Sequence, residues 1–328
     1  MELLTASTGS YPRIGDKPEQ QKYRQAYARW ERGELSNEEF QRVQDEATRE
    51  VIAEQVRAGL DLVTDGQVRW YDPISHFARK FNGCEIDGLL RFFDTNFYFR
   101  QPVIVGKVSW REPVVVEEFR FAKEVSKIPL KPVLTGPYTL AKLSINRRGV
   151  RFDELLREFA DAISREVGEL AKAGAGLIQI DEPAILKNQN EFELLKTAIE
   201  EVAAEKNKAK LALYTYFGDA ALLYRKFVKL PVEVIGFDFT YSSSLPNTIA
   251  RLGCEKDLGL GLIDGRNTRL ESEREVLATL RKLLSNIGSE RVYLNPSCGL
   301  GDYLPRNTAF EKLKNMVSIA KKAREELL

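Results

Sequence analysis

Two adjacent carboxylates, Asp181 and Glu182, close the run LIQIDEP at residues 177–183. The aliphatics between Gly176 and Pro183 read as a short buried strand. Side chains alternate along a strand, so the two acids must point opposite ways. One faces the middle of the fold and the other a neighbouring loop or strand. Comparable polar residues follow other short apolar runs: Ser10, Asp65 with Gln67, Tyr138, Tyr216, Asp238, Asp264 with Arg266 and Asn267, and Cys298. Carboxylates of this kind hold an ammonium or a ring N–H, while hydroxyls and backbone N–H groups hold a carboxylate. Trp70, Tyr138, Tyr216 and Phe217 can stack on a planar heterocycle. The set suits a zwitterionic or amine-bearing small molecule, such as an amino acid or a pterin.

Cys298, in the turn Pro-Ser-Cys-Gly-Leu, is open to three readings: metal ligand, nucleophile, or small buried apolar residue. A catalytic zinc needs three protein ligands and an open position. Asp238 and Cys298 are the two side chains at the strand ends suited to ligate it, and no His-x-Cys pair accompanies them. No cofactor is assigned from these residues. The one histidine, His76, has no evident partner for a Ser/His/Asp arrangement.

The elements that would position these residues alternate. Strands are predicted at residues 3–8, 60–64, 132–135, 177–181, 210–215, 232–237, 258–263 and 291–294. Helices lie between them almost throughout. Ser36 and Glu39 form a capping box opening a helix that Gly59 ends. The stripe Phe152, Leu155, Leu156, Phe159, Ile163, Val167 and Leu170 follows the helical period, and Gly174 closes that helix. Residues 83–129 break the pattern and read as an excursion after the second strand, with a hairpin and a short helix at 116–126. Eight β/α units predict an α/β (β/α)8 TIM barrel spanning residues 1–328 as one domain. An open doubly wound sheet is disfavoured because no G-x-G-x-x-G follows any strand. In a barrel, these polar residues share the rim at the strands' carboxyl ends, where active sites lie.

Composition sets the outer bounds. Over 328 residues, 43% hydrophobic and 30% charged residues with a net charge of +1 describe a globular chain with no general pull toward nucleic acid or anionic membrane. No apolar run reaches membrane-span length and residues 1–10 lack a signal-peptide pattern, so a cytoplasmic location is expected. Three cysteines are too few for a disulfide framework. Abundant Lys, Arg and Glu beside two Met and one His lean toward a thermophile.

In order along the chain, GSYPRIG at residues 9–15, IDEPA at 180–184, YFG at 216–218, IDGRN at 263–267 and NPSCGL at 295–300 give it a family likeness. It resembles cobalamin-independent methionine synthase, which transfers a methyl group from a methylfolate to homocysteine and carries two related barrels. GSYPRIG, YFG and IDGRN are similar to the amino-terminal barrel, IDEPA to both, and NPSCGL to the carboxyl-terminal, catalytic one. The resemblance implies that Asp181 stands where the family binds the substrate amine. It also implies that the family's zinc ligands, a His-x-Cys pair, a Glu and a Cys, fall at Tyr216, Gly218, Asp238 and Cys298. Only the last is kept. The family's His-Gly-Glu after the second strand reads Asp65-Gly66-Gln67.

Asp181 and Cys298 are therefore the candidate catalytic residues. Ser10, Asp65, Gln67, Glu182, Tyr216, Asp238, Arg266 and Asn267 are candidate substrate contacts, and Lys17 and Lys22 candidate contacts to a folate tail. The incomplete zinc set favours a binding subunit, a methionine-synthase-type barrel that serves a separate zinc-bearing catalytic barrel and contributes folate contacts. The alternative is a stand-alone methyltransferase moving a methyl group to homocysteine or a related thiol, with methylfolate as co-substrate.

Overall fold

Apolar runs with amphipathic stretches between them become parallel strands wrapped by helices. The computed structural model describes residues 1–301 and 303–328. The first half carries β1 (Glu2–Thr5), α1 (Lys22–Glu31), α2 (Asn37–Ala58), α3 (Ser75–Ala78), β2 (Phe81–Arg91), β3 (Tyr98–Trp110), α4 (Val116–Val125), β4 (Val133–Thr135), α5 (Pro137–Lys142) and β5 (Ile145–Asn146). The second carries α6 (Phe152–Lys172), β6 (Leu177–Asp181), α7 (Phe192–Ala204), β7 (Lys210–Thr215), α8 (Tyr224–Phe227), β8 (Val234–Asp238), α9 (Leu245–Leu252), β9 (Asp257–Ile263), α10 (Glu273–Leu284), β10 (Arg291–Pro296) and α11 (Arg306–Leu327). No helix among the described residues is long and apolar enough to cross a membrane.

Seven strands form one parallel sheet in the order β1-β10-β9-β8-β7-β6-β4. The second predicted strand, at residues 60–64, does not form a ladder. It contributes two parallel bridges, Ala6 to Leu62 and Val63 to Leu130, which close the gap between β1 and β4. The reason is local. The Gln55 side chain donates to the Thr64 carbonyl at 2.9 Å and accepts from its N–H at 3.2 Å, so pairing stops at Thr64, while Leu62 and Val63 bond to Thr5 and Ser7 on one side and to Pro129 and Lys131 on the other. The ring is nonetheless complete, and the architecture is the expected (β/α)8 barrel.

The capping box opens α2: the Ser36 hydroxyl accepts from the Glu39 N–H, and the Glu39 carboxylate accepts from the Ser36 N–H. Gly59 ends it at φ +93, where a side chain would be strained. The α6 stripe packs as its period requires, with Leu155, Leu156, Phe159, Ile163, Val167 and Leu170 buried. Inside the barrel a separate cluster of Ala6, Leu62, Ala212, Tyr214, Val234 and Tyr293 fills the lumen. The sheet makes room for the Tyr214 ring with glycine. A Cβ at Gly236 would fall 2.2 Å from the ring, and one at Gly259 2.4 Å from the hydroxyl.

The excursion leaves the barrel after α3. β2 and β3 pair antiparallel, and β5 joins β3 in a three-stranded sheet of its own. The tip between β2 and β3 turns an aromatic cluster back onto the barrel mouth. Phe92 meets Phe93, Phe97, Phe99 and Phe217 edge to face, the last at 6.1 Å between ring centres.

Candidate active site at the barrel mouth

Period two along β6 puts Gln179 and Asp181 on one face, toward the lumen, and Ile178 and Ile180 on the other. Both oxygens of Asp181 are engaged. Oδ1 accepts from Gln179 Nε2 at 2.7 Å, and Oδ2 accepts from the Tyr216 hydroxyl at 3.1 Å. Asp181 is 8% exposed. Burial pushes its carboxyl up to about 7, against the lowering effects of the Gln179 hydrogen bond, the Lys131 charge and the Tyr216 hydroxyl. Glu182 points the other way, as alternation requires. It is fully buried and accepts from the N–H groups of Tyr138 and Thr139 and from the Thr139 hydroxyl, so it fastens the start of α5 rather than facing the lumen. Burial raises its carboxyl to about 7.

A cavity of about 30 Å³ lies over Asp181, lined among others by Ser10, Gln67, Tyr216 and Cys298. Its roof is aromatic: Phe92 and Phe97 from the hairpin tip, with Trp70, Phe217 and Tyr303. Phe217 takes a left-handed backbone at φ +66, which turns the chain sharply after β7. Two sequence motifs meet at the floor. The N–H groups of Leu300 and Gly301 donate to the carbonyl and hydroxyl of Ser10, tying GSYPRIG to NPSCGL.

The other predicted residues scatter around this centre. Asp65 Oδ1 accepts from the Gln67 N–H at 3.0 Å, and burial with the nearby Glu118 charge lifts its carboxyl to about 6. Gln67 sits at φ +54 with its side chain against Gly9. Arg266 donates to the Tyr241 hydroxyl at 2.8 Å and lies over the Phe217 and Tyr241 rings. Asn267 belongs to a different groove, with Asp264 and Glu271. Lys17 and Lys22 are exposed, and Lys22 pairs with Glu46 at 3.1 Å. The His76 ring stacks on Trp70 at 5.1 Å, and its Nε2 lies 3.1 Å from a Glu118 oxygen without making a hydrogen bond to it. Sequence reasoning missed Gln179, Lys131 and the roof residues Phe92 and Phe97. Gln179 carried a signal, since a polar residue two before Asp181 shares its face.

The residues that the resemblance puts in the places of the family's zinc ligands do not fit a zinc ion. Tyr216 spends its proton on Asp181, and burial holds the phenol well above its ordinary range. Gly218 offers no donor, and a Cβ there would stand 2.6 Å from Leu186 Cβ. Asp238 accepts from the Thr240 N–H and hydroxyl through Oδ1 and from the Phe217 N–H through Oδ2, so it caps its own turn. It is absent from the cavity lining. Cys298, the one ligand of the family set that is kept, is buried and lines the cavity without a second thiol or imidazole beside it among the described residues. Among the described residues no three His, Cys, Asp or Glu side chains converge to hold a metal.

A closed (β/α)8 barrel with buried polar groups at the carboxyl ends of its strands defines the general class: a barrel enzyme with its site at the mouth. The match to known proteins narrows this. Residues 3–322 match the family described as cobalamin-independent synthase, catalytic domain, and the chain belongs to that family of methyltransferases. It is 36% identical to a methionine synthase of Saccharolobus solfataricus, covering 99% of this chain and 96% of that protein. It is equally identical to one of Sulfurisphaera tokodaii, covering 99% and 94%. Among solved structures, a B12-independent methionine synthase from Shewanella sp. W3-18-1 in complex with selenomethionine superposes with a TM-score of 0.83. At 24% identity over 100% of this chain and 99% of that one, it supports the fold.

Proposed function

We propose that the chain is itself a methyltransferase, moving a methyl group from a methylfolate to the thiol of homocysteine or a related thiol amino acid. The observation that carries this reading is Asp181, a carboxylate with both oxygens oriented, at the floor of the cavity in the barrel mouth. In its ionised form it is an acceptor for a substrate ammonium, held in place by Gln179 and Tyr216. The relatives named methionine synthase favour the enzyme over the binding subunit expected from sequence. This chain spans 96% and 94% of their lengths, so they are single-barrel proteins of its own size.

In the reaction the sulfur bonds to the methyl carbon as the bond from that carbon to folate N5 breaks. The thiol proton passes overall to the departing nitrogen. The protein's part is to orient the amino acid through Asp181 and to exclude water with the aromatic roof. No step is assigned to a metal, because the donor set does not fit one. The test is to incubate the isolated chain with methyltetrahydropteroyltriglutamate and L-homocysteine and quantify methionine. Turnover by the wild type and its loss in D181N support the reading. Binding of L-methionine without turnover would return the chain to the role of a binding subunit.

A further inference from the structure

Asp181 is one end of a polar chain that runs down the barrel lumen. Lys131, 1% exposed just before β4, reaches inward and donates to Gln179 Oε1 at 2.5 Å. Its ammonium also lies 4.7 Å from the centre of the Tyr214 ring. Gln179 then donates from Nε2 to Asp181 Oδ1 at 2.7 Å and to the Thr8 carbonyl at 2.5 Å. An ammonium is a donor only, so it dictates which end of the amide faces it. With Lys131 on Oε1, the amide N–H must face Asp181, the arrangement that favours a carboxylate over a carboxylic acid.

We infer that Lys131 is a positioning residue whose positive charge, relayed across Gln179, keeps the Asp181 carboxylate ionised and ready for a cationic amino group. This rests on the reading of Asp181 as the ammonium acceptor. Among the described residues, no carboxylate pairs directly with Lys131. A buried cation without a carboxylate against it is costly, and it serves no evident packing need that an apolar residue would not meet. The titratable groups around the chain are few. Lys131 faces Asp181 from β6 and Tyr214 from β7, with Tyr293 of β10 beyond. Asp181 faces Tyr216 from β7, with Glu182 beside it and Cys298 among the residues lining the same cavity. Lys131 is the cation among them. Burial pulls its ammonium down to about 7 while Asp181 opposes that fall, so the two groups sustain each other's charge.

The test reads Asp181 directly. Ligand-free protein labelled with 13C at aspartate carboxyl carbons is titrated by NMR, and the Asp181 signal is identified by its disappearance in D181N. K131Q retains a donor for the Gln179 carbonyl and removes only the charge, whereas K131M removes both. The Asp181 midpoint is expected to rise by about one pH unit or more in both variants, corresponding to a roughly tenfold change in the ionised fraction. A midpoint unchanged in both, or raised in K131M alone, overturns the role of the charge.

Ligand binding supplies an independent arm. In K131Q, L-methionine should bind roughly tenfold more weakly near neutral pH and recover at alkaline pH. The deaminated analogue 3-(methylthio)propanoate should bind as to wild type. General structural damage would weaken both ligands alike and would overturn the inference. If wild-type protein fails to prefer L-methionine over the analogue, the ammonium reading of Asp181 falls, while the NMR result still decides what Lys131 does.

Discussion

The Tyr216 hydroxyl donates to Asp181 Oδ2 at 3.1 Å, and with that bond the residue that the resemblance puts in the place of a family zinc ligand becomes a support for the acid proposed to bind substrate. The same bond lowers the Asp181 carboxyl toward ionisation. In Y216F, ligand binding that depends on ionised Asp181 should therefore move to higher pH, and affinity at pH 7 should fall a few-fold. Stability should drop by about 0.5–1.5 kcal/mol, the net worth of one hydrogen bond. Isothermal titration of L-methionine across pH, with urea unfolding alongside, checks both.

Asp181 leaves its mark on stability as well. Its carboxyl ionises near 3.9 in an unfolded chain but near 7 in the fold, so the folded protein binds the extra proton between those values. Through this group, stability falls as pH rises from about 4 to about 7. D181N should flatten that slope and leave stability at pH 8 equal to or above wild type, because an amide can still accept from Gln179 and donate to the Tyr216 oxygen. Denaturant midpoints at pH 5 and pH 8 test the sign.

Restoring the family ligands should not restore zinc. In Y216H/G218C the new cysteine meets Leu186, whose Cβ lies 2.6 Å from where the Cβ at 218 would be. Asp238 remains committed to Thr240 and Phe217. Purified Y216H/G218C is expected to hold well under one zinc per chain by elemental analysis. A stoichiometric, chelator-resistant zinc would contradict the account of this turn.

The roof is held by packing, so its loss should cost stability. Phe92 is 3% exposed and joins the hairpin tip to Phe217. F92A should destabilise by about 3–5 kcal/mol if the tip unfolds with the rest of the chain. A low-stability phase that melts separately, followed by tip tryptic cleavage or hydrogen exchange, would instead show the tip to be an independent unit.

The barrel was legible in the sequence because its signals are local. Apolar runs, the Ser36 box and the α6 stripe each dictate their own element. The strand at residues 60–64 lies between its two neighbours as its aliphatics require, but it stays short because Gln55, on the preceding helix, takes the Thr64 N–H and carbonyl, a tertiary fact no run of aliphatics encodes. That Asp181, Gln67, Tyr216 and Cys298 gather around one cavity at the barrel mouth was readable from their place after strands. Lys131 was not, because whether a lysine before a strand points outward or into the lumen depends on how the barrel closes. Phe92 and Phe97 lie more than eighty residues before Asp181 and reach the mouth only through the fold of the hairpin. Glu118, on α4, comes beside His76 for the same reason.

The most direct measurement is methionine formation by the isolated wild-type chain supplied with methyltetrahydropteroyltriglutamate and L-homocysteine, run beside D181N. Methionine is expected from the wild-type chain alone, with a loss of at least about tenfold in kcat/KM for D181N, from removal of the ammonium's charged partner. No methionine from a wild-type chain that is folded and binds L-methionine, with turnover appearing only when a separate catalytic barrel is added, would contradict that expectation.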